Sequence, residues 1–287
     1  MRRLCIVMAV AALAVGAGAA DRAGSGDIDY YLEHYPYISF RGKVYTAETE
    51  FTVPEGYARV DSTDLTPYQY WVSNLPLWHH ARPAARIRGI RYDTSEIARS
   101  IHFPWRSSRF FDYTIPVQLL VEYALAAGTL NEFEWWPIAG DTLTWSRFLS
   151  SQAVTYRGTE LQLRPSEPRD STSQELDAFV DLCARWTHHQ SLADNCVRVA
   201  DSPPLPGDFF IATDSTGRKG RVYVIVTALR NDNGNYLYTV ATGCDDKCDF
   251  HIPRFNESRE NPWIDRARIE QLGEGWVRSG FYRPRVP

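Results

Sequence analysis

The chain has 287 residues, 44% of them hydrophobic and 13% aromatic, enough to bury a large core in one domain or two. Its formal charge is −4, with 35 acidic against 31 basic residues, a balance that argues against nucleic acid as a partner. Beyond the N-terminal stretch no apolar run approaches a membrane-spanning length.

The opening, "MRRLCIVMAVAALAVGAGAA", sets Arg2 and Arg3 ahead of an apolar run that ends in small residues. This is the pattern of a secretory signal peptide over residues 1–19, with cleavage expected near Ala17-Gly18-Ala19. Its removal takes away two positive charges and one cysteine, so the formal charge moves from −4 to −6 and four of the five cysteines remain. The expected mature protein is exported, periplasmic or extracellular, with no membrane span.

Residues 20–50 read as an N-terminal extension, in which "DIDYYLEHYPYISF" is expected to lie as an extended arm on a single domain spanning 51–285. "FTVPEGYARVDS" predicts two short strands around a Pro-Glu-Gly turn. Tyr68, Trp71, Val72 and Leu75 recur at helical spacing before Pro76, and "RIRGIRYDTS" is strand-like. "YTIPVQLLVEYALAAG" predicts a helix that ends at Gly128, and "EFEWWPI" a following strand. After the loop-like "RPSEPRDSTS", Thr172 and Glu175 form a capping-box pattern for a helix whose apolar face carries Leu176, Phe179, Val180, Cys183 and Trp186. Three strands then follow, "GDFFIAT", "RVYVIVTALR" and "NYLYTVAT", the last two joined across Asn233-Gly234 as a hairpin. The C-terminal part reads as a short helix and an aromatic tail packed on the domain.

In that order, "VPEGYARV", "WVSNLPL", "VEYALAAGTLNEFEW", "GDTLTW", the Thr172–Gln190 helix, "LPGDFFI", "YVIV" and "NPW" resemble the uncharacterised bacterial family called domain of unknown function 4846 (DUF4846). That family carries no assigned activity. A second resemblance is to papain-like cell-wall peptidases of the NlpC type, which share a helix, a Pro-Gly-Asp strand and a following strand. It implies an α+β fold with a papain-like helix and antiparallel meander, a cysteine at the head of the helix, and a histidine at the head of the second strand. Neither catalytic group stands where it is expected. The helix head offers Ser171, Thr172 and Ser173, Cys183 lies deep on the apolar face, and Gly220 is followed by Arg221, which cannot accept a proton. His251 is the remaining candidate base.

"CDDKCDFH", from Cys244 to His251, holds the other suggestive chemistry. Cys244, Cys248 and His251 supply three of the four ligands a zinc site needs, while an exported compartment favours a disulfide. As a strand the two cysteines would lie roughly 13 Å apart against a bridging limit near 7 Å, so a bridge requires a turn. The expected pairs are Cys183 with Cys196 and Cys244 with Cys248, with crossed pairings left open, and no metal or other cofactor is assigned. The paired histidines of "LWHH" and "WTHHQ" point apart and read as surface residues. Trp135, Trp136 and Trp145 offer a stacking platform for a sugar or peptide.

The combined reading is an exported, non-catalytic envelope or extracellular module. It would bind a cell-wall peptide or glycan in a cleft lined by Asp208, Arg221 and Trp145. The alternative is a peptidase or amidase acting on the same material through a relocated residue.

Overall fold

The computed structural model describes residues 31, 33–35, 44–78, 96–104, 106, 111–244, 248–256, 258 and 260–286. The signal sequence, His79, His80 and the strand expected over 86–95 lie outside the described residues. In chain order the elements are α1 (Ala47–Glu50), β1 (Tyr57–Arg59), α2 (Pro67–Ser73), β2 (Ile97–Ser100) and α3 (Ile115–Ala126). Next come β3 (Glu134–Trp135), β4 (Leu143–Thr144), α4 (Trp145–Leu149), β5 (Ser151–Tyr156), β6 (Glu160–Pro165), α5 (Ser173–Arg185) and α6 (His189–Asp194). The last are β7 (Cys196–Val199), β8 (Phe209–Thr213), β9 (Gly220–Asn231), β10 (Tyr236–Thr242), β11 (His251–Pro253), α7 (Arg266–Gln271) and β12 (Arg278–Pro284).

Eight strands form one antiparallel sheet in the order β2-β11-β10-β9-β8-β12-β7, and β1 pairs with the far end of β9. The mixed α+β class agrees with the sequence reading, and β8, β9 and β10 form the expected meander. The C-terminal aromatic tail does more than pack on the domain. As β12 it enters the sheet between β8 and β7, with Phe281 opposite both Phe210 and Val199.

β9 is buried on both faces from Val224 to Leu229, which explains its continuous apolar run. Val222, Val224 and Val226 join the larger core with α2, α3 and α5, while Ile225 and Ala228 join a second core with Tyr238, Phe281, Ile264 and Ile269. Within the larger core α3 is buried all round, with every residue from Ile115 to Ala124 buried. Its one acid, Glu122, meets Arg106, which also reaches Asp177 of α5 at 3.0 Å. Burial pushes the Glu122 carboxyl up and the Arg106 guanidinium holds it down.

α5 begins at the predicted cap, where the Thr172 hydroxyl accepts from the Glu175 amide at 3.2 Å. The β9–β10 hairpin closes through a three-residue loop between Asn231 and Asn235 in which Gly234 alone takes a positive φ, of 78°. The expected extended arm differs: Tyr31 and Tyr35 sit on a helical turn, and both are buried in the main core. The Tyr35 ring stacks on Trp71 and its hydroxyl donates to the Trp71 carbonyl at 2.7 Å, which anchors the N-terminal segment on α2.

Candidate functional site

Chemically active side chains gather at one end of the sheet, where α3 begins, β9 begins and β10 ends. The approach to α3 is tied by the Thr114 hydroxyl, which donates to the Phe111 carbonyl and accepts from the Phe111 amide. This turn presents Asp112 to the sheet. Its carboxylate accepts from the Tyr113 amide at 2.8 Å and the Val222 amide at 3.0 Å, while the Thr242 hydroxyl donates to the Val222 carbonyl at 2.6 Å. Two side chains thus satisfy a strand residue that would otherwise leave buried polar groups unpaired.

His189, the first residue of α6, completes the cluster and is buried rather than on the surface as the sequence suggested. Its Nε2 lies 3.5 Å from Asp112 Oδ1 and has no hydrogen-bond partner among the described residues. Its Nδ1 lies 3.2 Å from the Arg218 carbonyl, and its ring meets Tyr113 edge-on at 5.0 Å. The ring also lies against Gly220, where an added Cβ would fall 2.8 Å from His189 Cδ2 and 2.1 Å from the Ala212 carbonyl oxygen. The preceding His188 caps α6, its Nδ1 accepting from the Ser191 amide at 3.1 Å.

Arg221 opens the same end of β9, and Tyr223 two residues on feels both its guanidinium and the Asp112 carboxylate. Burial is the largest influence on the Tyr223 hydroxyl and pushes it up. The segment that meets the head of this strand is the turn ahead of α3, through Asp112, and not the head of the Thr172 helix.

Asp208 stands elsewhere. β8 and β9 are antiparallel, with Phe209 opposite Val224 and Ala212 opposite Arg221, so Asp208 and Arg221 begin at opposite ends of the ladder. The offset of about four residues corresponds to roughly 13 Å along the strand. The two residues therefore do not line one cleft. Asp208 is buried, accepts Arg283 Nε and Nη2 at 2.8 Å each, and accepts the Leu205 amide at 2.8 Å. Burial raises its carboxyl, while Arg283 and the Leu205 amide pull it back.

Trp145 is buried in the core, packed against Phe148 and Phe179. Trp135 is buried too, its Nε1–H donating to the Thr187 hydroxyl at 2.9 Å. Of the expected aromatic platform, Trp136 alone reaches the surface, at 41% exposure. Asn195 grips its backbone amide and carbonyl at 2.8 Å each, and the Arg285 guanidinium lies 4.6 Å from its ring centre. A cavity of about 190 Å³ opens beside it, lined by Trp136, Glu132, Glu134, Asn195 and Arg285 among others.

The cysteines divide. Cys183 and Cys196 are separate buried thiols, so the expected bridge between them is not formed, and burial pushes both thiols up. Cys244 and Cys248 form a disulfide with their Cα atoms 5.7 Å apart, as the turn requirement demanded. His251 heads β11 opposite Thr242 and Ser100, its Nδ1 2.8 Å from the Asp249 carbonyl and 3.9 Å from Cys248 Sγ. Burial pushes its imidazole down, which favours the neutral form, and the neighbouring sulfur is held in the disulfide.

Among the described residues no helix is long and apolar enough to cross a membrane. Comparisons with curated proteins and with solved structures return no match. The family model described as a domain of unknown function (4846) matches residues 47–274, which include Asp112, His189, Gly220 and His251, and the chain belongs to that family.

Proposed function

We propose that this protein is an exported envelope or extracellular module, built on a papain-like frame, that binds a cell-wall peptide or glycan and does not cleave it. The observation that carries this reading is the Trp136 cavity. Trp136, 41% exposed with the Arg285 guanidinium over its ring, lines a cavity of about 190 Å³ together with Glu132 and Glu134. Such a surface suits a sugar ring or a short peptide bearing both charges. The groups that would perform thiol hydrolysis are engaged elsewhere: Cys183 and Cys196 are buried in the core, and His251 faces a disulfide. The test is incubation of the purified protein with peptidoglycan fragments and mass analysis of what is retained and what is cut. Retention without cleavage, weakened at least about tenfold by Trp136→Ala, is expected for loss of an aromatic hot spot. Cleavage by the unaltered protein, or retention unaffected by Trp136→Ala, overturns the reading.

A second reading, a peptidase or amidase, is favoured by one observation, the Asp112–His189 pair. The His189 Nε2 faces the Asp112 carboxylate at 3.5 Å without a closed hydrogen bond, and the ring lies against Gly220, at the head of the strand where the NlpC frame carries its base. If the fragments are cut and His189→Ala abolishes cutting while the chain stays folded, this pair supplies the base.

A further inference from the structure

We infer that Cys244, Cys248 and His251 form a redox-gated site for a thiophilic d10 cation, Zn2+ or Cu+, which loads when the Cys244–Cys248 disulfide is reduced. The two sulfurs and one histidine nitrogen all lie within 4.8 Å of one another, and all three residues are buried. The site is independent of the Trp136 cavity and of any role assigned to it.

Geometry supports the assignment. A tetrahedral zinc with bonds of about 2.3 Å to sulfur and about 2.0–2.1 Å to nitrogen separates those two ligands by roughly 3.6 Å. Cys248 Sγ and His251 Nδ1 already stand 3.9 Å apart. That edge needs to close by only a few tenths of an ångström, and loading also requires Nδ1 to give up its 2.8 Å contact with the Asp249 carbonyl as the ring turns toward the metal. The two sulfurs must separate on reduction, and the Cα distance of 5.7 Å accommodates two ligands of one ion as readily as a bridge. Both sides of the site are anchored. His251 pairs with Thr242 and Ser100 in the sheet, and Cys244 makes a backbone bridge to Phe111 ahead of α3. Two thiolates and an imidazole select soft or borderline cations over Ca2+ or Mg2+, which require oxygen donors.

The chemistry balances. A dithiol reductant gives two electrons and two protons to the Cys244–Cys248 bond, becoming a disulfide while the two cysteines become thiols. Metal binding then releases both thiol protons to solvent. Nδ1 becomes the ligand nitrogen, its proton moves to Nε2, and the imidazole stays neutral. Three protein ligands suffice for trigonal Cu+, and on Zn2+ they leave a fourth position for water or another ligand. The disulfide and the loaded site are thus alternative staples for the same loop.

The experiment uses the full chain, oxidised or reduced with a phosphine that is then removed without air. Each form is titrated with Co2+ as a spectroscopic probe, followed by competition with Zn2+ and, separately, with Cu+. The reduced chain is expected to take up one equivalent of Co2+ with sulfur-to-cobalt charge-transfer absorption, surrendered to Zn2+ or Cu+, and the oxidised chain none. His251→Gln should weaken uptake at least tenfold while keeping the sulfur band, and Cys248→Ser should abolish uptake. Equal uptake by both redox forms, retention by a Cys244→Ser/Cys248→Ser variant, or uptake unchanged in His251→Gln overturns the proposal. Thermal melting of the same samples covers the case in which reduction unfolds the chain: Zn2+ must restore the transition, and failure to restore it also overturns the site.

Discussion

Replacing Arg283 by methionine should destabilise the protein by about 3 kcal/mol near neutral pH. Asp208 is 1% exposed and its two oxygens accept both Arg283 nitrogens and the Leu205 amide. Removing one partner of a fully buried pair costs roughly 3–5 kcal/mol, because the remaining charge stays in a poor solvent. The Arg283 side chain is 38% exposed, so water reaches the vacated position and the lower end of that range applies. At about 2–4 °C per kcal/mol for a domain of this size, the melting temperature should fall by roughly 10 °C. The pH dependence has a definite sign. Burial raises the folded-state carboxyl of Asp208, so its ionisation opposes folding as pH climbs above the ordinary carboxylate range. Without Arg283 the folded value rises further, and the deficit of the variant should shrink as pH falls from 7 toward about 4, where the carboxyl is protonated. Urea unfolding followed by tryptophan fluorescence across that range measures it. A loss under about 1 kcal/mol, or one that does not change with pH, would refute the view that Asp208 is held as a structural anion.

Gly220→Ala should cost about 1–3 kcal/mol, since its Cβ would fall on the Ala212 carbonyl and the His189 ring, and a denaturation midpoint within error of the original would show that this contact yields freely. Arg106→Met should cost about 3–5 kcal/mol by stranding buried Glu122, and combining it with Glu122→Leu should restore most of the loss in a double-mutant cycle.

Local order was legible in the sequence wherever one segment contained its own instructions. Thr172 and Glu175 mark the start of α5, Asn233-Gly234 marks the β9–β10 turn, and an apolar run bounded by turns marks a strand covered on both faces. Pairings across long sequence separations were not legible. Arg283 lies in a strand whose partner β8 precedes it by most of the C-terminal third, so nothing near "FYRPR" announces that its guanidinium belongs to Asp208. His189 misled for the same reason: α6 is too short for its periodicity to mark a buried face, and the carboxylate that receives it comes from the turn before α3. The β5–β6 hairpin escaped notice although its turn carries a signal, with Arg157 at φ 49° and Gly158 at φ 74°. Trp145 shows the limit of composition, because an aromatic side chain serves a core and a binding surface equally well until its neighbours are known.

The antiparallel ladder also explains why this molecule concentrates its chemistry where it does. Consecutive antiparallel strands start at alternate ends of a sheet, so the head of β8 with Asp208 and the head of β9 with Arg221 cannot share a site. What shares the β9 end is instead the close of β10 and whatever follows it. There Gly243 packs so tightly that an added Cβ would fall 3.0 Å from Asp112 Cα and 2.7 Å from Ile115 Cδ1, and Cys244 bridges Phe111 on the next step. The disulfide is therefore one residue from the backbone that holds the Asp112–His189 pair, and His251 returns to the sheet beside Thr242, which supports Val222. A change in the bonding of Cys244 therefore acts next to a tightly packed backbone contact. Close-packed contacts of this kind transmit displacement, so reducing the Cys244–Cys248 pair is expected to shift the imidazole NMR signals of His189, and signals unchanged on reduction would refute the link.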